Sequence, residues 1–281
     1  MSIERLITAA ERTAQTVDVL GYQFALELAA VLRSLERKLR PLVADVAEGS
    51  RTAIVKAGLA NRTRKELERQ LTRAGYDYLA QSAYGKRLDP IVANVLETRR
   101  LAQQTARLSG AFNARVQALK TLHETDLLDE GAELARALWQ AVTRGVFGAR
   151  SINDILDDLS AVIDATEPQL RTLYDTSVSI FSRQIEALQA GDEPDTPFLF
   201  VGPADDKTRE FCRAHVGKVY TREQINAMDN GQIDNCFLSA GGFNCRHQWI
   251  EVSKFSELYE YIGTDKRAPE IQRLLDDRAA A

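Results

Sequence analysis

The sequence predicts a mostly α-helical N-terminal region followed by a small α+β C-terminal domain. Over most of the first 190 residues, apolar side chains recur at steps of three and four, which is the period of an amphipathic helix. Residues 191–197 then bring together two prolines, a glycine and three acidic residues, a composition typical of a linker. Short apolar runs bounded by proline and glycine follow, and these predict strands.

The chain is divided accordingly. An elongated helical domain is predicted at 1–190, a linker at 191–197, a small α+β domain at 198–262 and a C-terminal tail at 263–281. A length of 281 residues exceeds that of a usual single domain, which agrees with this division. No run of residues approaches the apolar length that a bilayer requires, so we expect no membrane span.

The N-terminal helix is predicted over 2–48, with a kink or break at Pro41, because proline removes a backbone donor and clashes with the preceding turn. Gly49 and Ser50 are expected to end it. A helix of about 40 residues is long for a globular protein, and it indicates packing against partners or against copies of the same chain.

Capping signals predict where the next helices begin. Thr63 and Glu66 form a capping-box pattern, which predicts a helix from there to about Ser82. Asp89 and Pro90 predict a second start, because proline is tolerated in the first turn behind an aspartate cap.

The following segment is predicted as two helices. The first covers 111–123 and ends near His123, which we interpret as a surface residue at a helix C-terminus. Thr125 is predicted to cap the second helix, and Gly145 and Gly148 are predicted to end it.

Two more helices complete the N-terminal region. Ser151 and Asp154 form a capping pattern at the start of the first. Thr166 and Pro168 are predicted to begin the second, which runs to about Ala190.

Beyond the linker, short strands alternate with short helices. The predicted strands lie at 198–201, 218–220 and 247–252, and the predicted helices at 207–214, at 221–228 and at 253–262, with a loop at 229–243 and a helical tail.

Charge is unevenly distributed along the chain. Residues 1–150 carry about +6 and residues 151–281 about −10, and the positive part lies mainly in 51–120. These basic residues are either ordinary solvated helix faces or a surface that contacts DNA or an acidic partner. The candidate contact residues are Arg62, Arg64, Lys65, Arg69, Arg73, Arg99 and Arg100.

Metal-binding residue types gather in one stretch, 212–247. It contains all three cysteines and two of the three histidines, namely Cys212, His215, Cys236, Cys245 and His247. An odd number of cysteines fits no even disulfide framework, so a reducing compartment is expected.

The spacing within this stretch predicts a structural zinc site. Cys212 and His215 are three apart, and such residues share one face of a helix. Cys245 and His247 are two apart and lie on one side of an extended segment. Four such ligands suit tetrahedral zinc, which would staple a domain with a thin core. Cys236 either replaces one histidine or is a core thiol, and the alternative to a metal is a set of buried thiols and hydrogen-bonded histidines.

Three segments of the C-terminal domain read VGPADDKTR at 201–209, FCRAHVGKVYT at 211–221 and GGFNCRH at 241–247. Together they resemble the phage Mu F-like minor head proteins, also called head morphogenesis proteins. Many relatives carry a second cysteine where this chain has Arg209, and a His-Pro pair where it has Gly241 and Gly242. In this comparison, His215 restores the missing ligand.

The resemblance implies a structural minor head protein of a tailed bacteriophage or prophage, without enzymatic activity. It implies association with the portal protein inside the head, assembly in the host cytoplasm, and action in head morphogenesis, DNA packaging or DNA delivery. The major capsid protein, packaged DNA and further copies of the chain are additional expected partners. Some relatives carry a toxin domain after this module, but here only about 29 residues follow Val252, too few for an enzyme.

Two other functions stay open from the sequence. The first is a zinc-dependent nuclease or toxin-like effector that uses the Cys/His stretch. The second is a nucleic-acid-binding module that uses the basic segment 51–120.

Overall fold

A computed structural model describes residues 3–48, 53–102, 109–148, 150–191, 193–253 and 256–279. Within these ranges the side chains of 45–48, 53–62 and 278–279 are not described.

Long helices precede a small sheet, as the sequence predicts. The helices before the sheet are α1 (Ile3–Glu48), α2 (Ala53–Ala74), α3 (Tyr76–Tyr84), α4 (Asp89–Leu101), α5 (Gly110–Phe147) and α6 (Ile152–Gln189). The predicted fold class is therefore confirmed. In the described part of the chain, each helix falls short of either the length or the apolar character of a bilayer-crossing segment.

Helix α1 passes through Pro41 without the predicted break. Leu39 and Val43, on either side of the proline, are buried at 1% and 0% exposure. The apolar stripe therefore continues across the proline, and its packing outweighs the one lost hydrogen bond. The predicted end at Gly49 and Ser50 lies outside the described residues.

Helix α5 is continuous where two helices were predicted, so the predicted ends at His123 and Thr125 are wrong. His123 is buried at 5% exposure, and its ring stacks on that of Tyr84 with centroids 5.8 Å apart. The hydroxyl of Thr125 donates to the carbonyl of Thr121 at 2.8 Å instead of capping a helix. The hydroxyl of Thr125 is thus satisfied within one helix.

Helix α6 is likewise continuous through Pro168, although Thr166 and Pro168 were predicted to start a helix. Its predicted start is confirmed, because Ser151 and Asp154 exchange backbone-to-side-chain hydrogen bonds at 3.2 Å each. The hydroxyl of Thr166 donates to the carbonyl of Val162 at 2.8 Å, as an interior threonine does.

The capping box predicted at Thr63 does not begin a helix. Helix α2 starts upstream, and Thr63 is an interior residue with 3% exposure. Gly75 separates α2 from α3 because its φ of 101° is in the left-handed region that glycine tolerates. Helix α4 begins at Asp89 with Pro90 in its first turn, as predicted, but Leu88 occupies the cap position.

The C-terminal region contains three strands, β1 (Pro197–Val201), β2 (Val219–Thr221) and β3 (Gln248–Glu251). They form an antiparallel sheet in the order β2-β1-β3. The accompanying helices are α7 (Glu210–His215), α8 (Arg222–Asn226), α9 (Cys236–Ser239) and α10 (Pro269–Ala279), with a 3₁₀ turn at Glu257–Tyr261.

The central strand β1 is buried on both faces. Alternate residues of a strand point to opposite sides, so Leu199 packs with Leu6 and Ile250, while Phe200 packs with Cys212 and Trp249. The second of these two cores contains the three cysteines that the sequence singled out. The segment predicted as a loop at 229–243 includes α9, which Asn235 caps.

The chain divides into two compact units built from interleaved segments. The sheet unit comprises Met1–Leu20, Arg87–Lys120 and Asp175–Ala281, and the helical unit comprises Gly21–Lys86 and Thr121–Tyr174. The change from helices to sheet nevertheless occurs at the predicted linker, between α6 and β1.

In the helical unit, Gly131 of α5 lies against the ring of Tyr76. A Cβ atom at this position would come within 2.3 Å of Tyr76 Cε1, and the tyrosine hydroxyl is held by the carbonyl of Leu127 at 2.8 Å. Gly131→Ala is expected to lower the free energy of unfolding by about 1–3 kcal/mol, because overpacking outweighs the better helix propensity of alanine. Urea denaturation measures the change.

The matched control is Gly110→Ala, in the first turn of the same helix. A Cβ atom there meets nothing within 4 Å, so this variant should be neutral or slightly stabilised. Equal effects of the two substitutions would contradict the close packing of Gly131 on Tyr76.

Candidate metal centre

Cys212, Cys245 and His247 come together inside the sheet unit. The two sulfur atoms are 3.6 Å apart, and Cys245 Sγ lies 3.8 Å from His247 Nδ1. One ligand atom of each residue lies within 4.8 Å of the others. All three side chains are buried, with exposures of 2%, 4% and 2%. The structure thus brings together three of the four predicted zinc ligands.

Two glycines make room for this cluster. A Cβ atom on Gly241 would lie 2.2 Å from Cys212 Sγ and 3.2 Å from Cys245 Sγ. The backbone N–H of Gly241 points at Cys245 Sγ with an N···S distance of 3.2 Å. On the other side, a Cβ atom on Gly202 would lie 2.6 Å from the ring of His247. Both positions therefore require glycine for a close backbone approach.

The ring of His247 is fixed by stacking on Phe200, with centroids 5.1 Å apart and planes 16° from parallel. Its Nδ1 atom faces the sulfur of Cys245. Its Nε2 atom is buried and has no hydrogen-bond partner among the described residues. A buried, unpaired ring nitrogen is costly, while Nδ1 is the ring atom placed to share a ligand with the sulfur of Cys245.

Arg183 of α6 holds the segment that carries two of these residues. Its guanidinium donates to the carbonyl of His247 at 2.8 Å, to that of Cys245 at 3.1 Å and, through Nε, to that of Leu238. Burial lowers the pKa of Arg183, while the two nearby thiols act in the opposite direction. One buried cation therefore fixes the loop and lies near both sulfurs.

The two thiols differ in acidity. The Cys212 thiol hydrogen-bonds to Cys245 and thereby lowers the pKa of Cys245 well below its usual range, with His247 and Arg183 assisting. The same hydrogen bond, together with burial, raises the pKa of Cys212. Cys245 is thus the first thiolate of the pair, and a thiolate is the form that binds a metal.

The spacing of the ligand atoms fits a tetrahedral metal ion. With Zn–S bonds of about 2.3 Å and Zn–N bonds of about 2.0 Å, the S···S and S···N edges of a tetrahedron are roughly 3.8 and 3.5 Å. Two of the three observed separations, 3.6 Å for Cys212 to Cys245 and 3.8 Å for Cys245 to His247, are close to these edges, and all three ligand atoms lie within 4.8 Å of one another. The donor set of two thiolates and one imidazole is the set that zinc prefers among divalent ions.

His215 lies apart from this cluster. Its Nδ1 atom is hydrogen-bonded to the hydroxyl of Tyr220 at 2.7 Å, and its ring lies 4.5 Å from that of Phe211. Burial is the main cause that lowers its pKa. Cys236 is also separate, since its thiol donates to the carbonyl of Met228 at 3.2 Å.

A cavity of about 230 Å³ opens in front of the three clustered residues. Three cations and one carboxylate contribute to its wall, which consists of Asp18, Lys207, Thr208, Arg209, Cys212, Asn244, Cys245, Arg246 and His247. Arg183 and Asp18 are not predicted from the sequence. No local pattern identifies either residue, because each lies on a long helix far along the chain from the Cys/His stretch.

The basic residues singled out as contacts for DNA or a partner are mostly paired with carboxylates. Arg64 pairs with Glu68 at 3.2 Å, and Arg69 and Arg73 share Glu66 at 3.1 and 3.4 Å. Of the other four candidates, Arg100 pairs with Glu97. Lys65 is exposed and Arg99 is buried. The side chain of Arg62 lies outside the described residues.

Arg99 is buried at 2% exposure, where it is inaccessible to DNA. Its guanidinium contacts Glu186 at 2.6 Å and Glu251 at 3.1 Å. It also donates to the carbonyl of Gln189 at 3.0 Å. Arg99 thus links α4 to α6 and β3 within the sheet unit.

No protein-family model, curated protein or solved structure matches this chain. The resemblance to phage head proteins therefore rests on the motif residues of the sequence. The geometry of the Cys/His cluster stands independently of it.

Proposed function

We propose that this chain is a structural minor head protein of a tailed bacteriophage or prophage, associated with the portal and acting in head morphogenesis and in DNA packaging or delivery. The observation that carries the proposal is the position of three sequence segments in the fold. The three segments that resemble the Mu F-like proteins, at 201–209, 211–221 and 241–247, fold against one another around the Cys/His cluster.

Contacts between the three segments involve the motif residues themselves. Asp205 accepts from Arg246 at 2.6 Å and from the hydroxyl of Thr208 at 3.0 Å. Arg209 donates to the carbonyl of Gly241 at 3.0 Å. The segment 211–221 joins them through Cys212, whose sulfur lies 3.6 Å from that of Cys245. Residues that hold one module together from three separate segments are those a shared fold would require.

The helical unit offers surface for assembly. Tyr22 and Leu26 of α1 are four residues apart, on one face of the helix, and are 66% and 55% exposed. Tyr78 of α3 is 74% exposed. Large exposed aromatic side chains are the residue type that anchors protein interfaces, and the portal protein is the partner we propose for them. The major capsid protein, packaged DNA and copies of the chain are further proposed partners.

The test is to delete the gene in the parent phage or prophage and purify the particles. We expect the wild-type particles to contain the chain at low copy, the deletion to yield defective or DNA-poor heads, and the chain to copurify with the co-expressed portal protein. The variant Tyr22→Asp/Leu26→Asp should weaken this copurification, while the exposed control Arg171→Asp should not. Absence of the chain from mature particles and from assembling heads would rule out the proposal.

We also propose that Cys212, Cys245 and His247 hold a structural zinc ion that staples the sheet unit. Zinc analysis of purified, unstripped protein should give about one ion per chain, and Cys212→Ser or Cys245→Ser should lower it to below about 0.2. The matched controls are Cys236→Ser and His215→Gln, which should keep their zinc. Wild-type protein with less than about 0.2 zinc per chain would overturn the assignment.

One observation favours a second function, a metal-dependent nuclease. Three protein ligands beside a cavity are the arrangement that catalytic zinc sites use. The only carboxylate in the described wall of the cavity, Asp18, is paired with Arg246 at 3.6 Å and is the candidate general base. Metal-stimulated DNA cleavage that is lost in both His247→Ala and Asp18→Asn would favour this function over the structural one.

A further inference from the structure

The cavity in front of the cluster touches all three of its residues. Among the described residues, Cys212, Cys245 and His247 are the members of the group, and no fourth side chain of metal-binding type joins them. Structural zinc sites close with four protein ligands, whereas three ligands leave one coordination position for a molecule from outside. The volume of about 230 Å³ exceeds what one water molecule requires.

We propose that the metal ion at this site keeps an exchangeable fourth position, and that this position takes a phosphate oxygen from the cavity. The inference rests on the proposed zinc ion. It goes beyond a structural staple, because it makes the cluster a binding site for phosphate groups.

Charge argues for an anion as the ligand. Two thiolates neutralise a divalent metal, so the metal cluster itself carries no net charge. Lys207, Arg209 and Arg246 line the cavity, against Asp18 as the one carboxylate in its described wall. The buried cation Arg183 lies behind the cluster. The electrostatic potential in the cavity is therefore positive.

The three cations of the cavity wall differ in how many of their donors already have partners. Arg246 is paired with Asp205 at 2.6 Å and with Asp18 at 3.6 Å. Arg209 uses one guanidinium nitrogen on the carbonyl of Gly241, and its remaining donors suit a second acceptor. Lys207 is exposed at the rim of the cavity. Arg209 and Lys207 are thus the residues that would hold the phosphate beside the metal, as arginine and lysine commonly do.

Asp18 is the competing occupant of the fourth position, since its carboxylate also lines the cavity. Its pairing with Arg246 favours a role in setting the position of that guanidinium instead. The two roles predict different spectra for Asp18→Asn, which makes this variant part of the test.

The experiment uses the full chain loaded with cobalt(II) in place of zinc. Absorption from thiolate-to-cobalt charge transfer reports the cysteine ligands, and the d–d bands report the number and type of ligands around the ion. Titration with inorganic phosphate should shift the d–d bands saturably and leave the charge-transfer band in place. Lys207→Ala/Arg209→Gln should weaken phosphate binding about tenfold or more, while the exposed control Lys266→Ala should not.

Each outcome has one meaning. Absence of the charge-transfer band would overturn the zinc proposal and the inference together. If the charge-transfer band is present but the d–d bands do not change on addition of phosphate, the zinc proposal stands and the exchangeable fourth position is overturned. Spectra of Asp18→Asn that differ before phosphate is added, or equal affinity in Lys207→Ala/Arg209→Gln and the wild type, would also overturn it.

A second arm identifies the source of the phosphate. A short oligonucleotide with a 5′ phosphate is compared with the same oligonucleotide without it and with inorganic phosphate. A response to the unphosphorylated oligonucleotide would assign the site to the DNA backbone. A response to inorganic phosphate or the terminal phosphate alone would assign it to free phosphate groups. Both results support a phosphate oxygen as the ligand.

Discussion

Replacement of Arg183 by methionine is expected to lower the free energy of unfolding by roughly 3–5 kcal/mol. The guanidinium is fully buried and donates to the carbonyls of Leu238, Cys245 and His247. Methionine fills a similar volume but has no donor, so the variant leaves three buried carbonyl groups without their hydrogen bonds. Urea denaturation of the full chain measures the loss.

A second readout separates the role of Arg183 in the loop from its role in overall stability. If Cys245 and His247 bind a metal, the loss of the group that orients their backbone should weaken metal affinity about 10- to 100-fold, measured by competition with a chelator. The matched control is Arg171→Met on the same helix, where the side chain is exposed; its effect should stay within about 0.5 kcal/mol. A small loss of stability in Arg183→Met would contradict its position as a buried anchor.

The local chemistry of the sequence was sufficient to predict several elements. The capping pair Ser151 and Asp154 predicts the start of α6 because both hydrogen bonds form between residues three apart. Strand β1 follows from an apolar run between prolines and glycine. Cys245 and His247 lie two apart immediately before β3, and their side chains come together as the spacing predicts. Each of these predictions depends on neighbours in the chain.

Predictions from local signals failed where the structure depends on residues far apart in the chain. Pro41 and His123 lie inside continuous helices because apolar packing extends past them, and no local signal reports that packing. His215 was placed with Cys212 on one helix face, but it is the last residue of the short helix α7, and its ring is hydrogen-bonded to Tyr220. Arg183 reaches the cluster from α6 only in the folded chain.

The free energy of unfolding should depend on pH through Glu186, which lies beside Arg99 in the sheet unit. Burial raises the pKa of Glu186 from 4.5 to about 7, although Arg99 and the backbone N–H of Glu251 act to lower it. Protonation leaves Arg99 its second partner, the carboxylate of Glu251 at 3.1 Å. The folded protein thus binds this proton more tightly than the unfolded chain does.

The direction of the effect follows from the raised pKa. The tighter binding of this proton by Glu186 in the folded protein stabilises the fold by a total of roughly 3 kcal/mol. This stabilisation is complete below about pH 4.5, decreases as the pH rises, and is lost above about pH 7. Glu186→Gln keeps an acceptor oxygen for Arg99 but does not titrate. The free energy of unfolding of the wild type, relative to this variant, should therefore fall between pH 4.5 and 7 in urea denaturation. Glu68→Gln, in an exposed pair with Arg64, controls for the removal of any one carboxylate. A difference between wild type and Glu186→Gln that stays constant over this range would show that Arg99 keeps the buried carboxylate ionised throughout.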